Sequence, residues 1–421
     1  MISCGKLIIK NDLWIYNEKI NQTTEFMKSL LYRYKHWDVI LLFAICVCVF
    51  SYLIIYVNTD IQAHVRFIKQ INDGSVAYPP NLGFYFIVNL LSGFSSNNTI
   101  MLVMTGVLLS SASVAKYVVS KKVILSLNRN VSAQHQYLKV TAIALGLFFC
   151  FAIPDPVSLI FLKKMYLGKI VPLVWHNSTT ILLFPFALLL FWKQLESFET
   201  ERNLSFKKAA LIHLLVVINI IIKPSFLFCY LPATFLFLMT YVRKRNMRWL
   251  LVNLSPLFLG GVLILLQYYL IYTLNIGSFK KAQSGVMLTW PFHVYTFWIP
   301  GWLIPLSFLL SYALPIGAVI LYREILKYKP FFYALLLSAV GLGISAVLLE
   351  SGPRMEHGNF TWQNVVCSFI LFLAVVSFLV QKFLKEPVLN RKNKILVLLF
   401  ALHVVSGFLY LFKILITNSY T

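Results

Sequence analysis

Residues 38–57 read DVILLFAICVCVFSYLIIYV, an apolar run with one charged side chain, Asp38. A run of about 20 apolar residues is what an α-helix needs to cross the hydrocarbon core of a bilayer. Because backbone groups in lipid must be satisfied within their own segment, such a run predicts a helix. Comparable runs lie at about 97–117, 139–153, 178–192, 208–222, 226–242, 249–272, 301–321, 331–349, 363–380 and 395–416. The sequence therefore predicts an all-α, polytopic integral membrane protein with about 11 transmembrane helices.

The composition excludes a soluble globular protein. Hydrophobic residues make up 59% of the 421 residues and charged residues 12%, whereas a soluble chain carries roughly 25% charged residues. The mean hydropathy is +0.77. The chain has 37 basic and 14 acidic residues, which gives a net charge of +23. We interpret this excess as a topology signal, since cytoplasmic loops collect Lys and Arg. We expect contacts with membrane lipids and none with nucleic acid.

The basic residues also orient the chain. With the N-terminus in the cytoplasm, the inner segments hold 27 of the 37 Lys and Arg residues, as the positive-inside rule requires. We therefore predict a multi-pass protein of the plasma (inner) membrane with its C-terminus outside. Residues 1–36 are predicted to form a basic cytoplasmic tail, and residues 37–421 a single transmembrane domain. Its outer loops are predicted at 58–81, 154–176, 273–300 and 350–362.

Few groups at the predicted outer face are capable of acid–base chemistry. None of the carboxylates lies in the middle of a predicted span. Chemistry at the outer face must therefore draw on a short set of acids and imidazoles. This set consists of Asp60, Asp73, Asp155, Glu350, Glu356, His64, His176, His293 and His357.

The first outer loop reads NTDIQAHVRFIKQINDGSVAYPP from Asn58 to Pro80. Gly74 is a natural helix stop and the two prolines enforce an extended turn, so residues 60–73 are predicted to form a helix on the outer interface. At about 100° per residue, Asp60 and His64 fall on its apolar stripe. The opposite stripe is polar and consists of Gln62, Arg66, Lys69 and Asp73.

Three interpretations of Asp60 and His64 are open. They act in catalysis or substrate binding, because ionisable groups that face the apolar body are costly to bury without a function. Alternatively, Asp60 caps the helix and His64 bonds a backbone carbonyl. As a third interpretation, a pair at this spacing ligates a metal ion. A complete ligand set is not visible, so no metal ligands are predicted and a divalent cofactor stays undecided.

The order of these features resembles the GT-C class of membrane glycosyltransferases. A first span is followed by an outer interfacial helix opened by Asp60 with His64 four residues on, then by Gly74, Tyr78-Pro79-Pro80 and a helix rich in Leu and Phe. The resemblance covers residues about 38–115. It implies a GT-C-like arrangement of helices, a sugar donor on polyprenyl phosphate or pyrophosphate, and Asp60 as the catalytic base. This loop lacks the Asp-x-Asp or Glu-Asp pair that is commonest in the class, which leaves the metal requirement open.

Sugar transfer from a lipid phosphate also needs groups that stabilise the leaving phosphate. Lys223 precedes Pro224-Ser225 between two short spans, so this turn is expected to line a cavity below the membrane surface; alternatively, Lys223 extends to the lipid head groups. Glu350 and Arg354 are expected to pair, and Arg354 suits bidentate binding of phosphate. A solvated turn with an aromatic anchor is the other interpretation of that segment. The predicted substrate-binding residues are Lys223, Arg354, Glu350, His176, Asn177, His357 and Arg66.

Two further outer segments have a structural and a functional interpretation. Asn177 or Ser178 caps the helix that begins at about residue 178, or His176 and Asn177 bind sugar hydroxyls. The loop 273–300 carries two lysines and a cluster of aromatic residues, which is typical of a segment at head-group depth. It guides a lipid donor or serves as an interface belt.

These features predict a glycosyltransferase of cell-envelope polysaccharide biosynthesis. It would move a sugar from a polyprenyl-phosphate-type donor to a glycan or lipid-linked acceptor at the outer face of the membrane. One alternative is a surface-polysaccharide polymerase or ligase of the O-antigen or capsule type, which uses the same kind of donor. Another is a lipid-linked-sugar transporter or flippase. Proton-coupled carriers usually place carboxylates within their spans, and the predicted spans have none in their middle.

Overall fold

The computed structural model describes residues 36–128, 134–200, 205–274, 276, 285–352, 355–385 and 390–420. These residues are mostly helical, and two short strands interrupt the helices. In chain order the elements are α1 (Trp37–Tyr56), α2 (Asp60–Asn72), α3 (Gly83–Leu91), α4 (Asn98–Leu127), α5 (Gln134–Phe149), α6 (Pro156–Ile160), α7 (Ser178–Glu199), α8 (Phe206–Ile222), α9 (Ser225–Met239), α10 (Met247–Tyr268), β1 (Val286–Leu288), α11 (His293–Thr296), α12 (Ile304–Ser311), α13 (Ala313–Leu321), α14 (Lys329–Val347), β2 (Leu348–Glu350), α15 (Trp362–Lys385) and α16 (Arg391–Thr417). Almost all of the predicted cytoplasmic tail lies outside the described residues.

A helix lies at each predicted span. Among the described residues, seven helices are long and apolar enough to cross a membrane, and the pair formed by α12 with its preceding 3-10 turn and α13 makes an eighth if it is one span bent by 61°. Both α5 and α9 are shorter apolar helices. The polytopic all-α class is thus confirmed, whereas the count of eleven spans and the GT-C-like arrangement stay predictions.

Helix α15 lies in the middle of the bundle. Its apolar window is buried along its whole length, and it contacts α4, α5, α7, α9, α13 and α14. A helix that is hydrophobic on all sides is expected to be surrounded by other helices. Its position brings the side chains at its N-terminal end, Trp362 and Asn364, to the same end of the bundle as the start of α7.

A network of hydrogen bonds fixes the corner between α1 and α2. Thr59 is the N-cap of α2: its hydroxyl accepts from the Ile61 N–H (3.2 Å), and the side-chain Oε1 of Gln62 accepts from the Thr59 N–H (3.1 Å). The Gln62 amide also donates to carbonyls at the end of α1, including that of Val57 at 2.8 Å. The side chain of Gln62 therefore turns back to α1. The cap is thus Thr59 and not Asp60, so the interpretation of Asp60 as a helix cap was wrong.

A second junction joins α5 to α16. The predicted span at 139–153 ends early, since α5 stops at Phe149 and residues 150–155 have no regular secondary structure. The Phe151 N–H donates to the His403 carbonyl (3.0 Å), and the His403 Nδ1–H donates to the Phe151 carbonyl (2.6 Å). The Ser406 hydroxyl donates to the Ala152 carbonyl (2.5 Å). Helix α16 thus satisfies backbone groups that the end of α5 leaves unpaired, and Pro154 disfavours continuation of the helix through the residue before it.

Gly407 permits this close approach. A Cβ atom at this position would lie 1.6 Å from the carbonyl oxygen of Phe149. The Nε2 of His403 accepts a hydrogen bond from the Leu314 N–H (3.3 Å), next to the bend between α12 and α13. The same imidazole therefore ties two helix breaks to α16.

Candidate functional site

A cavity of about 1310 Å³ lies at the end of the bundle where α1, α8, α14 and α16 end and α7 and α15 begin. The segments that line it belong to loops predicted to lie on one side of the membrane. Several predicted site residues meet on its wall: Asp60, His64, His176, Asn177, Lys223, Glu350 and His357. The walls also include Tyr295 and Trp298 from the aromatic cluster of the loop 273–300 and Trp362, the aromatic anchor of the last outer segment. Two further aromatic residues on the wall, Tyr166 and Tyr420, were not selected from the sequence.

Asp60 and Lys223 are joined through one amide. The Asn177 Nδ2 donates to the Asp60 carboxylate (2.9 Å), and the Lys223 ammonium donates to the Asn177 Oδ1 (3.0 Å). Asp60 is half-buried and Asn177 buried. Asn177 is also the N-cap of α7, because its Oδ1 accepts from the Thr180 N–H (3.0 Å). The interpretation of Asn177 as a helix cap is confirmed. The same side chain also positions the Asp60 carboxylate and the Lys223 ammonium.

Lys223 lies in the turn between α8 and α9. Its ammonium donates to the Thr180 hydroxyl (2.8 Å) and lies 4.6 Å from the ring centroid of Trp362. Burial lowers the pKa of Lys223 to about 7, although the Asp60 charge opposes this shift. Lys223 thus points into the protein and does not extend to lipid head groups.

His64 faces the cavity from the second turn of α2. Its Nδ1 is 2.9 Å from the Tyr85 hydroxyl, and its ring contacts those of Phe84 and Tyr85. Burial, together with the positive charge of Lys223, lowers the pKa of His64 to about 4, so the imidazole is neutral near pH 7. The partner of His64 is a phenol and not a backbone carbonyl, which corrects that alternative.

His176 is packed between aromatic rings. It stacks on Tyr420 with a centroid distance of 4.0 Å and meets the edge of Tyr166 at 4.8 Å. Its Nδ1 is buried and has no hydrogen-bond partner. Burial lowers the pKa of His176 to about 3, with a smaller effect from the charge of Lys223. A neutral imidazole with an unpartnered nitrogen therefore lies beside Asn177, which caps the next helix.

Strand β2 brings Glu350 to another part of the cavity wall. The Asn359 amide donates to the Glu350 carboxylate. Nearby, the Asn364 amide donates to the hydroxyls of Ser345 (2.8 Å) and Tyr295 (3.3 Å). This part of the wall combines amides, phenols and a carboxylate, which are groups that bind hydroxyl-rich ligands.

Other predicted residues are not brought to the cavity. Arg66 is exposed on the opposite stripe of α2 and does not line the cavity. Arg354, with its expected pairing to Glu350, lies outside the described residues, as do the two lysines of the loop 273–300. Lys169 lines the cavity, but its charge is matched by a buried ion pair with Asp155.

The described residues contain no group of three or more His, Cys, Asp or Glu side chains arranged to hold a metal ion. No protein-family model matches the chain, and no curated protein is significantly similar to it in sequence. The groups that line the cavity are therefore the observations that bear on function. It offers one carboxylate and one buried ammonium held on either side of an amide, with neutral imidazoles and aromatic rings around them.

Proposed function

We propose that this protein is a membrane glycosyltransferase that moves a sugar from a polyprenyl-phosphate-type donor to a glycan or lipid-linked acceptor at the outer face of the plasma membrane. The observation that carries the proposal is the linkage of Asp60 to Lys223 through Asn177, with hydrogen bonds of 2.9 and 3.0 Å, on the wall of one large cavity. The activity would belong to the biosynthesis of cell-envelope polysaccharides.

This pair of residues matches the two charge changes of the reaction. Asp60 takes the proton of the acceptor hydroxyl, and the hydroxyl oxygen forms a bond to the anomeric carbon of the donor. The bond between that carbon and the phosphate oxygen breaks, and its electron pair stays on the lipid phosphate. Lys223 stabilises the negative charge that grows on this leaving group. Asn177 keeps the carboxylate and the ammonium apart, so neither neutralises the other by direct contact.

The size and position of the cavity support two substrates, one of them a lipid. Pockets for single small molecules measure roughly 300–1,000 Å³, and this one measures about 1310 Å³. It lies at the ends of apolar helices, so a donor can place its phosphate inside while its isoprenoid chain stays among the lipids. The cavity walls come from segments predicted to be outside, in agreement with an outer-face reaction.

The decisive test is Asp60→Asn, which is nearly isosteric and removes the base. We expect glycan transfer to fall by about 10²–10⁴-fold, the usual worth of general-base catalysis. Expression and binding of the lipid donor should be unchanged. Asp73→Asn is the matched control, because Asp73 is exposed at the other end of α2 and should leave transfer unaffected.

Transfer is measured as incorporation of radiolabelled sugar from a synthetic decaprenyl-phosphoryl sugar in proteoliposomes. Full activity of Asp60→Asn at matched protein levels would overturn the assignment. Movement of the intact donor across the bilayer, with equal rates in wild type and Asp60→Asn and no glycosidic product, would identify a flippase instead. Products with repeating units would identify a polymerase.

A further inference from the structure

We infer that Tyr420 is the platform of a sugar-ring subsite in the cavity and that a pyranose ring packs against the part of the phenol that lines the cavity, beside Asp60. The inference rests on the proposed glycosyltransferase function and adds the ligand class and the residue that holds it. The shared chemistry is a hydroxyl-bearing sugar ring, which belongs either to the lipid donor or to the acceptor.

The first support is the geometry of the ring. His176 covers one face of Tyr420 at a centroid distance of 4.0 Å with an interplanar angle of 15°. Tyr420 also lines the cavity and is only half-buried. The phenol is therefore stacked on a buried imidazole, has the ring of Tyr166 at 6.4 Å, and contributes part of its surface to the cavity wall.

The second support is that the platform is fixed through backbone and neighbouring groups. Helix α16 ends at Thr417, and its C-cap Asn418 has a left-handed backbone conformation with a φ of 52°. The Tyr52 hydroxyl donates to the Asn418 side chain (2.9 Å), and the Tyr410 hydroxyl donates to the Tyr420 carbonyl (3.1 Å). Because these bonds do not use the Tyr420 ring, the ring can be replaced without releasing the segment.

The third support is the chemistry around the ring. His176 is neutral, since burial lowers its pKa to about 3, and Tyr166 presents an aromatic ring to both His176 and Tyr420. Flat, uncharged aromatic surfaces suit the C–H face of a sugar, while its hydroxyls need polar partners at the edge. Asp60 is close enough to raise the pKa of Tyr420, after the larger effect of burial.

The proposed sugar subsite at Tyr420 is distinct from the proposed phosphate site at Lys223. Lys223 lies over the ring of Trp362 at 4.6 Å, and His176 meets the same indole at 5.8 Å. Trp362 therefore contacts both the ammonium and the His176 ring of the Tyr420–His176 stack. A donor phosphate at Lys223 would place its sugar on the Tyr420 side, next to the Asp60 carboxylate.

The test compares sugar-bearing and sugar-free probes on the full chain in phosphatidylcholine nanodiscs. The lipid probes are decaprenyl phosphate and decaprenyl-phosphoryl glucose, galactose, mannose and N-acetylglucosamine, and the free probes are the corresponding methyl glycosides. Binding is followed by microscale thermophoresis. The variants are Tyr420→Leu, which removes the aromatic face, Tyr420→Phe, which keeps it, and Lys223→Met.

We expect Tyr420→Leu to weaken binding of the preferred sugar-bearing probe about 3–10-fold, with no change for decaprenyl phosphate. Tyr420→Phe should bind like wild type, and Lys223→Met should weaken every phosphate-bearing probe. If the prenyl-linked sugars gain affinity through Tyr420, the bound sugar ring belongs to the donor. If the methyl glycosides gain affinity through Tyr420, it belongs to the acceptor. Equal affinities of wild type and Tyr420→Leu for all sugars, or equal losses for decaprenyl phosphate, would overturn the subsite. Glycoside binding that needs Tyr420 without any binding of lipid phosphates would preserve the subsite and refute the proposed donor.

Discussion

The junction of α5 with α16 and the cavity both bury polar groups, but they leave them in different states. At the junction both nitrogens of the His403 imidazole are hydrogen-bonded, and the Ser406 hydroxyl donates to the carbonyl of Ala152. In the cavity the Nδ1 of His176 has no partner, and the Asn177 Oδ1 is shared by a lysine and a backbone N–H. Buried polar groups are normally hydrogen-bonded, so an unpartnered one calls for an explanation.

From this difference we infer that the junction stabilises the fold and that the cavity serves the proposed function. A buried network whose members are all satisfied holds a particular arrangement of backbone. Under the proposed function, the substrate would complete a wall that has spare hydrogen-bonding capacity and a buried ammonium. We therefore expect substitutions at the junction to affect folding, and substitutions in the cavity to affect binding or transfer with little loss of stability.

The largest effect is expected at Gly407. In Gly407→Ala the new methyl group would collide with the carbonyl oxygen of Phe149, since the two atoms would lie only 1.6 Å apart. We expect a loss above the usual overpacking cost of about 1–3 kcal/mol, seen as little or no folded protein in detergent by size-exclusion chromatography. The control is Gly261→Ala in α10, where no atom lies within 4 Å of the new Cβ. Equal yields of the two variants would contradict the tight junction.

Replacing a buried histidine by phenylalanine should affect stability differently at the junction and in the cavity. His403→Phe removes the partner of the Phe151 carbonyl and of the Leu314 N–H, and each buried group left unpaired costs about 1–3 kcal/mol. His176→Phe removes both ring nitrogens, of which Nδ1 is buried without a partner, and keeps a ring against Tyr420. Thermal unfolding should show a clear destabilisation for His403→Phe and an unchanged or higher midpoint for His176→Phe. The reverse order would break the distinction between the two regions.

A smaller effect is expected from pH. Burial lowers the pKa of Lys223 to about 7, so its ammonium is charged below that pH and loses its proton above it. Affinity for a decaprenyl-phosphoryl sugar, whose phosphodiester does not titrate in this range, should fall as the pH rises above 7, by at most about tenfold per pH unit. Binding measured from pH 6 to 9 tests this. Lys223→Arg should give a flat profile, because Arg stays protonated; a sloping profile in that variant would point to another group.

Local patterns in the sequence predicted much of the site. Helical periodicity placed Asp60 and His64 on the buried stripe of α2, and they line the cavity. The polar run before the span at 178 predicted that Asn177 caps α7. The short spans around Lys223 predicted that it lines a cavity. Each of these inferences uses residues that are neighbours along the chain.

Contacts between distant segments could not be predicted in this way. Tyr420 and Tyr166 meet His176 only because α16 and the loop before α7 pack together, and aromatic residues are too common in this chain to mark those two. The early end of α5 has the same origin. Its apolar residues favour a helix up to the residues before Pro154, and the carbonyl and side chains supplied by α16 stabilise the non-helical form of residues 150–152.

The dependence of residues 150–152 on α16 has a consequence for biogenesis. His403 lies 252 positions after its partner Phe151, so at about 5–20 residues per second a ribosome needs roughly 10–50 s to make the second half of the junction. During that interval residues 150–152 have no native partner in the bilayer. A longer α5 helix that includes these residues would satisfy their backbone groups. Insertion of α16 would then unwind the end of α5, so the third apolar segment reaches its final shape only when the last one enters the membrane.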